Sequence, residues 1–290
     1  MVKIKESELI LNPDGSIYHL NLLPHQLADT VITVGDPDRV TAVSKYFDTI
    51  EFKTHKREFK THTGSFNGKR ISVISTGIGT DNIDIVLNEL DALKNIDFET
   101  RTIKNKLSAL EIIRIGTSGA IQPEIAIDSF SVSAKAIGFD TLLHFYKETS
   151  FLDTDFSKAF IEHTAWNAKK SEPYVVSADD ELLKKFNSEE FIKGVTATNV
   201  GFYGPQGRVL RLSTEDEGMN NKIQKFNFKG AKITNFEMET SGIYGLAKLL
   251  GHRAISLNAI LANRAKRSFS LNSEKTIDSL IKTTLKIISK

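Results

Sequence analysis

Short β-branched runs that lead into glycine-rich turns constrain the fold of this chain more than any other feature. Residues 31–34 run into GDPDR, in which Asp36 and Pro37 suit the cap and first turn of a helix reaching residue 47. A second glycine loop, STGIGTDN at 75–82, follows a predicted strand and precedes a helical pattern at 83–93. A third turn is predicted at 116–119, after the strand that begins EIIRI. Strands alternating with helices in this way indicate a layered α/β fold with a largely parallel sheet.

The rest of the chain extends this pattern without a break between domains. Predicted strands at 58–63 and 70–75 are joined through Asn67-Gly68, a typical hairpin signal, so the sheet is expected to be mixed. Further strands are predicted at 129–134, 194–198, 232–236 and 252–258, and helices at 178–186, 240–250 and 273–288. The polar, weakly patterned residues 94–110 are interpreted as an inserted segment. We therefore predict a single domain over residues 1–290, with a central mixed sheet flanked by helices.

Composition removes several classes of function. The formal net charge is only +2, which gives no global field for nucleic acid or an anionic membrane. The chain has no cysteine, so disulfides, thiolate metal sites and cysteine nucleophiles are excluded. No run approaches the roughly 20 apolar residues of a membrane span, and the histidines lack metal-ligand spacing. We expect a cytoplasmic protein that needs no metal or organic cofactor.

Nucleotide-binding motifs do not account for the glycine turns. Gly77-Ile78-Gly79 resembles the start of a dinucleotide fingerprint, but the third glycine of that fingerprint would fall at Asn82. No Walker lysine loop is present either. A dinucleotide cofactor site and a P-loop hydrolase are therefore both disfavoured.

The three predicted turns instead bring cationic and hydroxyl side chains to the expected ligand edge of the sheet. They carry Arg39, Thr76, and the group Arg114, Thr117 and Ser118. Glycine lets backbone N–H groups approach an anion, and guanidinium groups match tetrahedral oxyanions in a bidentate fashion. Each arginine alone would be interpreted as a surface charge, but their joint placement predicts a phosphate site.

Two carboxylates lie at a predicted strand-to-helix junction. Glu237 and Glu239 flank Met238 in NFEMET, and buried acids are costly without partners. On an extended segment the two acids share a face, whereas on a helix they diverge. A ligand role and a structural role, as an ion pair or a helix cap, both remain open for Glu237.

Seven segments, in order, resemble the motifs of the nucleoside phosphorylase family, and most closely those of its uridine phosphorylases. They are GDPDR at 35–39, HKREF at 55–59, STGIG at 75–79, RIGTSGAIQ at 114–122, GVTATNVGFYGPQGR at 194–208, NFEMET at 235–240 and ILANR at 260–264. The resemblance covers nearly the whole chain. It implies phosphorolysis of a pyrimidine nucleoside, with uridine as the expected substrate, to free base and ribose 1-phosphate.

The resemblance also implies roles for individual residues. Inorganic phosphate, the co-substrate, would be bound by Gly35 through its N–H, and by Arg39, Arg57, Arg114 and Thr117. Ribose would be bound by His19, Met238 and Glu239, and the base by Phe202, Gln206 and Arg208. The residues expected to act in catalysis are Arg114, Glu239, Arg208 and Arg264, the last from a loop that closes over the base.

Assembly and alternative functions follow from the same resemblance. Arg57 and His19 would reach a neighbouring subunit's site, which implies a homo-oligomer with a dimer as its minimal active unit; the number of subunits is left open. The alternatives are a purine nucleoside phosphorylase, a nucleosidase or a non-catalytic nucleoside-binding protein. A purine enzyme is expected to carry an aspartate where this chain has Asn263 and Arg264, and the other two have little use for the phosphate-site arginines.

Overall fold

A twelve-stranded mixed sheet forms the centre of the molecule in the computed structural model, which describes residues 2–290. The strands are β1 (Thr30–Val34), β2 (Thr49–Lys56), β3 (Phe59–Phe66), β4 (Lys69–Ser75), β5 (Ile96–Asp97), β6 (Thr102–Ile103), β7 (Glu111–Ala120), β8 (Phe130–Gly138), β9 (Tyr174–Ser177), β10 (Phe191–Thr198), β11 (Asn227–Phe228), β12 (Ala231–Glu237), β13 (Arg253–Asn263) and β14 (Ser268–Phe269). Their main order is β11-β12-β10-β8-β13-β7-β1-β4-β3-β2, with β14 paired to β13 and β9 to β8. β5 and β6 form a separate small hairpin.

Helices cover this sheet on both faces. They are α1 (Pro37–Ser44), α2 (Thr80–Asn95), α3 (Thr154–Thr164), α4 (Asp180–Lys185), α5 (Met219–Lys225), α6 (Thr240–Leu250) and α7 (Ser273–Ile288). The larger apolar core lies between α2, α6 and α7 and the strands β1, β4, β7 and β13. A smaller aromatic core, centred on Phe156, Phe160 and Phe226, joins α3 and α5 to β10 and β12.

The pairing confirms the predicted fold class. β1 pairs in parallel with β4 and β7, and β13 pairs in parallel with β7. The hairpin predicted at Asn67-Gly68 joins β3 to β4 with antiparallel register, which makes the sheet mixed. Both residues have positive φ, as this tight turn requires.

The third glycine turn predicted at 116–119 is wrong, because these residues continue β7 to Ala120. Gly116 serves a different purpose there. A Cβ at this position would overlap the Arg114 guanidinium and crowd Asn258 Oδ1. Glycine therefore opens a path for the Arg114 side chain across the face of the sheet.

The segment 94–110 does not form an independent unit in the structure. α2 runs on to Asn95, and β5 and β6 follow as a hairpin. Arg101, at the hairpin's turn, donates to the carbonyl oxygens of Ile4 and Lys5 at 3.0 and 3.1 Å. The segment thus packs against the N-terminal residues Ile4 and Lys5 of the same chain.

Several elements lacked a clear sequence signal. β2, β9, α3 and α5 were not predicted, and α1 ends at Ser44 rather than at residue 47. The exposed and half-buried pattern of β2 is typical of an edge strand, whose amphipathic signal is weak.

Candidate active site

A cavity of about 620 Å³ opens where β1, β4 and β12 end. The backbone reverses at these strand ends, which places the following side chains around a shared crevice. Most of the residues predicted for the site line it: Gly35, Arg39, Arg114, Thr117, Phe202, Gln206, Arg208, Met238 and Glu239. The two glycine loops predicted at strand ends contribute Gly35 and Gly77. Sequence segments far apart along the chain thus converge on one space.

A buried charge cluster forms the floor of this cavity. Arg114, which is 5% exposed, pairs with Glu239 through Nη2 and with Glu237 at 3.2 Å. Its Nη1 donates to Asn258 Oδ1 at 2.7 Å. The backbone N–H of Gly79 donates to Glu239 Oε1 at 2.8 Å. The guanidinium and the two carboxylates therefore fix one another in a region from which water is largely excluded.

Glu237 has a structural role in this cluster. Its Oε2 accepts from the N–H groups of Glu239 and Thr240, each at 2.9 Å, where α6 begins. Its Oε1 accepts from the Thr198 hydroxyl at 2.6 Å. A carboxylate at a helix N-terminus satisfies orphan donors and opposes the positive end of the helix dipole. The sequence left a ligand role and a structural role open for Glu237. The contacts show the structural role, because Glu237 both caps α6 and pairs with Arg114.

Burial and neighbouring charges perturb the pKa values of the cluster in opposite directions. Burial raises the pKa of Glu239, against the lowering effect of Arg114. Burial alone would lower the pKa of Arg114, but Glu237 and Glu239 raise it overall. Burial lowers the pKa of Arg39, and the nearby charge of Arg114 lowers it further. Two cations thus lie close together at one end of the cavity, an arrangement that an incoming anion relieves.

The opposite end of the cavity carries the amide of Gln206 and the guanidinium group of Arg208. Gln206 is 2% exposed, and its Oε1 accepts from Arg208. Arg208 lies over the Phe202 ring with its Cζ 3.7 Å from the ring centroid, and donates to the Phe202 carbonyl at 2.6 Å. Burial, and then the charge of Arg264, lower the pKa of Arg208 to about 10. This end can therefore stack on a flat ring and offer it hydrogen-bond donors.

Arg264 lies beside this end rather than in the cavity lining. It lines an adjacent cavity of about 510 Å³ that shares Phe202, Arg208 and Phe269 with the first. Its Nη2 donates to the Gln206 carbonyl oxygen at 3.1 Å. Arg264 thus hydrogen-bonds the segment that carries Gln206 without lining the first cavity itself.

Two more predicted residues, His19 and Arg57, are also absent from the lining of the 620 Å³ cavity. Arg57 is exposed at the tip of the β2–β3 hairpin with a φ of 56°. The carboxylate of Glu89 accepts a hydrogen bond from His19 Nδ1 at 2.6 Å, and the His19 ring packs edge-on against Phe59. Within a single chain, neither side chain is part of the cavity wall.

Three further residues support or line the site without having been singled out in the sequence. Thr198 donates a hydrogen bond to Glu237, and Asn258 accepts one from Arg114. Phe269 on β14 lines the cavity. Thr198 and Asn258 are polar and fully buried in strands whose neighbours are mostly apolar, and that contrast was the available signal. Phe269 carried no sequence signal.

Asn263 does not face the cavity as a proton donor. Its Nδ2 donates to the carbonyl oxygens of Gln122 and Ile125 at 3.0 and 2.7 Å. Its Oδ1 accepts from the N–H of Lys266 at 2.8 Å. Both polar atoms of the Asn263 side chain are therefore hydrogen-bonded within the protein at the end of β13.

Residues 2–290 contain neither a metal-binding cluster nor a membrane-spanning helix. No cluster of three or more histidine or acidic side chains is arranged to hold a metal ion. No helix in this part of the chain has both the length and the apolar character needed to cross a membrane.

A family model described as the phosphorylase superfamily matches residues 29–289. The chain belongs to this superfamily. Membership confirms the family resemblance of the sequence motifs and accounts for the mixed sheet with ligand loops at its strand ends.

Individual relatives extend over most of the chain. A uridine phosphorylase of Thermococcus kodakarensis is 29% identical over 99% of this chain and 92% of its own length. A uridine phosphorylase of Haemophilus influenzae is 30% identical over 87% of this chain and 88% of its own. DeoD-type purine nucleoside phosphorylases also match, at 25 to 28% identity.

One solved structure is similar to this chain over nearly the whole length of both. The crystal structure of a Trypanosoma brucei nucleoside phosphorylase, described as showing uridine phosphorylase activity, covers 97% of this chain and 98% of its own. Its TM-score is 0.86 and its sequence identity 31%. The superfamily fold is therefore shared at the level of the complete domain.

Proposed function

We propose that this chain is a pentosyltransferase that cleaves uridine with inorganic phosphate, giving uracil and ribose 1-phosphate. The observation that carries the proposal is a single cavity with Arg39 and Arg114 at one end and Gln206 and Arg208 at the other. Glu239 lies on the cavity wall beside Arg114. The similarity to uridine phosphorylases favours the same reaction.

Phosphate is assigned to the end that holds the two crowded cations. The superfamily's phosphorylases use phosphate as co-substrate, and here Arg39, Arg114 and Thr117 converge with the loop at Gly35. Guanidinium groups and backbone N–H groups stabilise a tetrahedral oxyanion through several charge-assisted hydrogen bonds. An anion there also relieves the repulsion between Arg39 and Arg114 that lowers the pKa of Arg39.

The sugar is assigned to Glu239, with Met238 packing against it. An ionised carboxylate accepts hydrogen bonds only and has room for about four, so Glu239 can accept from two ribose hydroxyls while keeping Gly79 and Arg114 as partners. These hydrogen bonds to the ribose would hold the anomeric carbon next to the phosphate. Orientation of that kind contributes much of the rate gain in a two-substrate reaction.

The base is assigned to Phe202, Gln206 and Arg208. A phosphate oxygen attacks the anomeric carbon as the bond to the base breaks, and the bonding electron pair leaves with the base. Positive charge therefore develops on the sugar and negative charge on the base. Arg208 and the amide of Gln206 stabilise the departing uracil anion, which then takes a proton. Arg264, which donates to the Gln206 carbonyl oxygen, is assigned to close over the base.

A homo-oligomer completes the site in this proposal. Arg57 is exposed at the tip of the β2–β3 hairpin, His19 packs against Phe59 at the start of β3, and neither lines its own chain's cavity. A two-fold dimer would place both residues at the mouth of the partner subunit's cavity, where an arginine adds to phosphate binding and a histidine reaches the ribose.

The alternative functions fit the contacts less well. A purine phosphorylase needs a proton donor for the base nitrogen, and the corresponding Asn263 is held by Gln122, Ile125 and Lys266. A nucleosidase would attack with water and would have no use for Arg39 and Arg114 around an oxyanion. A binding protein without catalysis would not need them either.

A substrate panel with and without phosphate tests this function. Purified protein is incubated with uridine, thymidine, cytidine, inosine and adenosine, and the released base and sugar are identified by chromatography and ³¹P NMR. We expect uracil and ribose 1-phosphate from uridine only when phosphate is present. Base release without phosphate would replace phosphorolysis by hydrolysis, and preferential release of hypoxanthine or adenine would replace the pyrimidine assignment.

A further inference from the structure

Glu89 on α2 holds both the backbone and the ring of His19. Its Oε1 accepts from His19 Nδ1 at 2.6 Å, and its two oxygens accept from the His19 backbone N–H at 3.0 and 3.1 Å. Its Oε2 also accepts from the N–H of Leu20 at 2.8 Å. The Glu89 side chain is only 13% exposed, so these hydrogen bonds are largely shielded from water. The position of His19 therefore depends on one carboxylate.

Aromatic neighbours fix the plane of the His19 ring. The Tyr18 ring lies 4.8 Å away between centroids and the Phe59 ring 6.2 Å away. The interplanar angles are 82° and 75°, which are the edge-to-face geometries that aromatic pairs prefer. The ring can therefore turn little about its own axis while Nδ1 stays on Glu89.

The Glu89 carboxylate also decides which nitrogen of His19 carries the hydrogen. An ionised carboxylate only accepts hydrogen bonds, so Nδ1 is the donor in this pair. In the neutral imidazole the other nitrogen then has no hydrogen and acts as an acceptor. Nε2 has no hydrogen-bond partner within residues 2–290 and is accessible to solvent. His19 thus presents an acceptor to the group opposite it.

The helix α2 connects this pair to Glu239. The N–H of Gly79, immediately before α2, donates to Glu239 Oε1, and Glu89 lies on the same helix. At 1.5 Å per residue, the two anchoring points are roughly 15 Å apart along the helix axis. In the proposed oligomer, one helix therefore fixes a sugar-binding residue of its own site and another that serves the partner's site.

We propose that Glu89 is a positioning residue, which presents His19 Nε2 as an acceptor and thereby selects sugars with a hydroxyl donor at C5′. The inference rests on the proposed function, since it concerns the nucleoside cleaved there. Glu239 is assigned to two ribose hydroxyls, which for one carboxylate are the vicinal 2′ and 3′ pair, so the 5′-hydroxyl is left for His19. A 5′-phosphate brings negative charge and acceptor oxygens, which an unprotonated Nε2 beside Glu89 disfavours.

Glu89→Gln should invert the tautomer of His19. The backbone N–H groups of His19 and Leu20 remain donors, and Leu20 donates to Oε2 alone. The glutamine oxygen therefore takes the place of Oε2, from which it also accepts the His19 N–H. Its NH₂ group then faces Nδ1 as a donor. Nδ1 must accept, so the hydrogen of the ring moves to Nε2.

Imidazole ¹⁵N chemical shifts report this tautomer in the absence of nucleoside and phosphate. Full-length protein with ring-¹⁵N histidine is measured at about pH 8, above the range in which histidine ordinarily changes charge. The His19 signals are identified by their loss in His19→Phe. We expect the hydrogen on Nδ1 in the wild type and on Nε2 in Glu89→Gln. The exposed Glu162→Gln on α3 is the matched control and should keep the wild-type tautomer.

Three nucleosides with different groups at C5′ test the selectivity. Uridine has a hydroxyl there, 5′-O-methyluridine has an acceptor only, and 5′-deoxyuridine has neither donor nor acceptor. In the wild type, kcat/KM for uridine should exceed that for 5′-deoxyuridine about fivefold, the effect of one hydrogen bond, with no advantage for 5′-O-methyluridine. In Glu89→Gln, Nε2–H can donate to the ether oxygen, so 5′-O-methyluridine should gain about fivefold over 5′-deoxyuridine.

The ratios between nucleosides separate positioning from a structural role, because a loosened fold would lower all three values alike. In His19→Phe the ratios should be the same with and without Glu89→Gln. Dissociation constants measured by calorimetry should follow the same ratios, which keeps the comparison independent of turnover. Absence of phosphorolysis would thus contradict the proposed function alone. One tautomer shared by the wild type and Glu89→Gln, a wild-type ring protonated on Nε2, or unchanged ratios in Glu89→Gln would overturn the role of Glu89.

Discussion

Arg114 is the residue on which the electrostatics of the site depend. It is buried between Glu237 and Glu239 and is held by Asn258. Removing one member of such a cluster leaves the other charges buried without compensation, which costs more than the contact itself. The same guanidinium is the donor that our proposal assigns to the attacking phosphate.

Arg114→Ala should therefore impair both catalysis and stability. We expect kcat/KM to fall by a factor equivalent to about 2 to 4 kcal/mol of transition-state stabilisation. The free energy of unfolding should fall by about 3 to 5 kcal/mol, measured by urea denaturation. The exposed Arg211→Ala is the matched control and should change neither. Near wild-type turnover of Arg114→Ala at saturating phosphate would remove this residue from the phosphate site.

At this scale the sequence located the principal charged residues but not their supports. Arg114 and Glu239 stand in motifs whose glycine and acidic neighbours are unusual in buried strands, so they could be singled out. Thr198 and Asn258 could not, because their importance comes from contacts with residues 39 and 144 positions away. A single sequence contains no information about such long-range partners beyond the polarity of the side chain.

At the scale of elements, the ends of β10 and β12 and the start of α6 act as one unit. Thr198 at the end of β10 donates to Glu237 at 2.6 Å and accepts from the N–H of Ser241 in α6 at 2.9 Å. Glu237 in turn caps α6 and pairs with Arg114. The register of two strands and one helix thus sets the orientation of the charge cluster.

Thr198→Val should loosen this unit while keeping its volume. The change leaves Glu237 Oε1 and the N–H of Ser241 without their hydrogen-bond partner, so the free energy of unfolding should fall by about 1 to 3 kcal/mol. We expect kcat/KM to fall about tenfold as Arg114 loses its fixed position. Thr198→Ser retains the hydroxyl and should recover most of both losses; equal behaviour of the valine and serine variants would contradict this positioning role.

A buried histidine joins β3 to the end of α1 and makes stability depend on pH. His62 is 6% exposed and lies 2.7 Å from the Ser44 hydroxyl through Nδ1. Burial, and then the charges of Lys53 and Lys60, lower the pKa of His62 to about 4. In the unfolded chain its pKa is about 6.5.

Between these two pKa values the unfolded state binds a proton that the folded state does not. The stabilisation is therefore complete above about pH 6.5 and is lost as pH falls towards 4, by at most about 3 kcal/mol. Urea denaturation across this range should show a shallower decline for His62→Gln than for the wild type. His25→Gln, at an exposed position, should follow the wild type; the same slope for His62→Gln would contradict the assignment.

The elements also show where sequence patterns fail. The run at 116–119 predicts a turn because glycine is common in turns, but here glycine is needed within β7 to let the Arg114 side chain pass. β2 and β9 are short or edge strands whose pairing partners supply most of their stability. By contrast, α6 and α7 were located with their full bounds, because their sequences are strongly periodic.

At the scale of the whole molecule, we propose that an oligomer completes the site. Neither Arg57 nor His19 lines the cavity of its own chain. If each subunit supplies Arg57 to its neighbour, two different inactive variants can restore one intact site when they share a dimer.

Mixing Arg57→Ala with Glu239→Ala tests this sharing. Each variant alone should be nearly inactive, but after unfolding and refolding together about half of the dimers are mixed, and each mixed dimer has one intact site. We expect recovery of about 25% of wild-type activity for random dimers. Activity that stays at the level of the separate variants would mean that Arg57 acts within its own chain or not at all.

The central claim is that one cavity holds an oxyanion, a sugar and a pyrimidine in line, and a crystal structure with sulfate and uridine bound together tests it most directly. We predict sulfate within hydrogen-bonding distance of Arg39 and Arg114, the ribose hydroxyls on Glu239 and the uracil ring against Phe202 and Gln206. Sulfate bound away from Arg114, or uridine outside this cavity, would contradict the account.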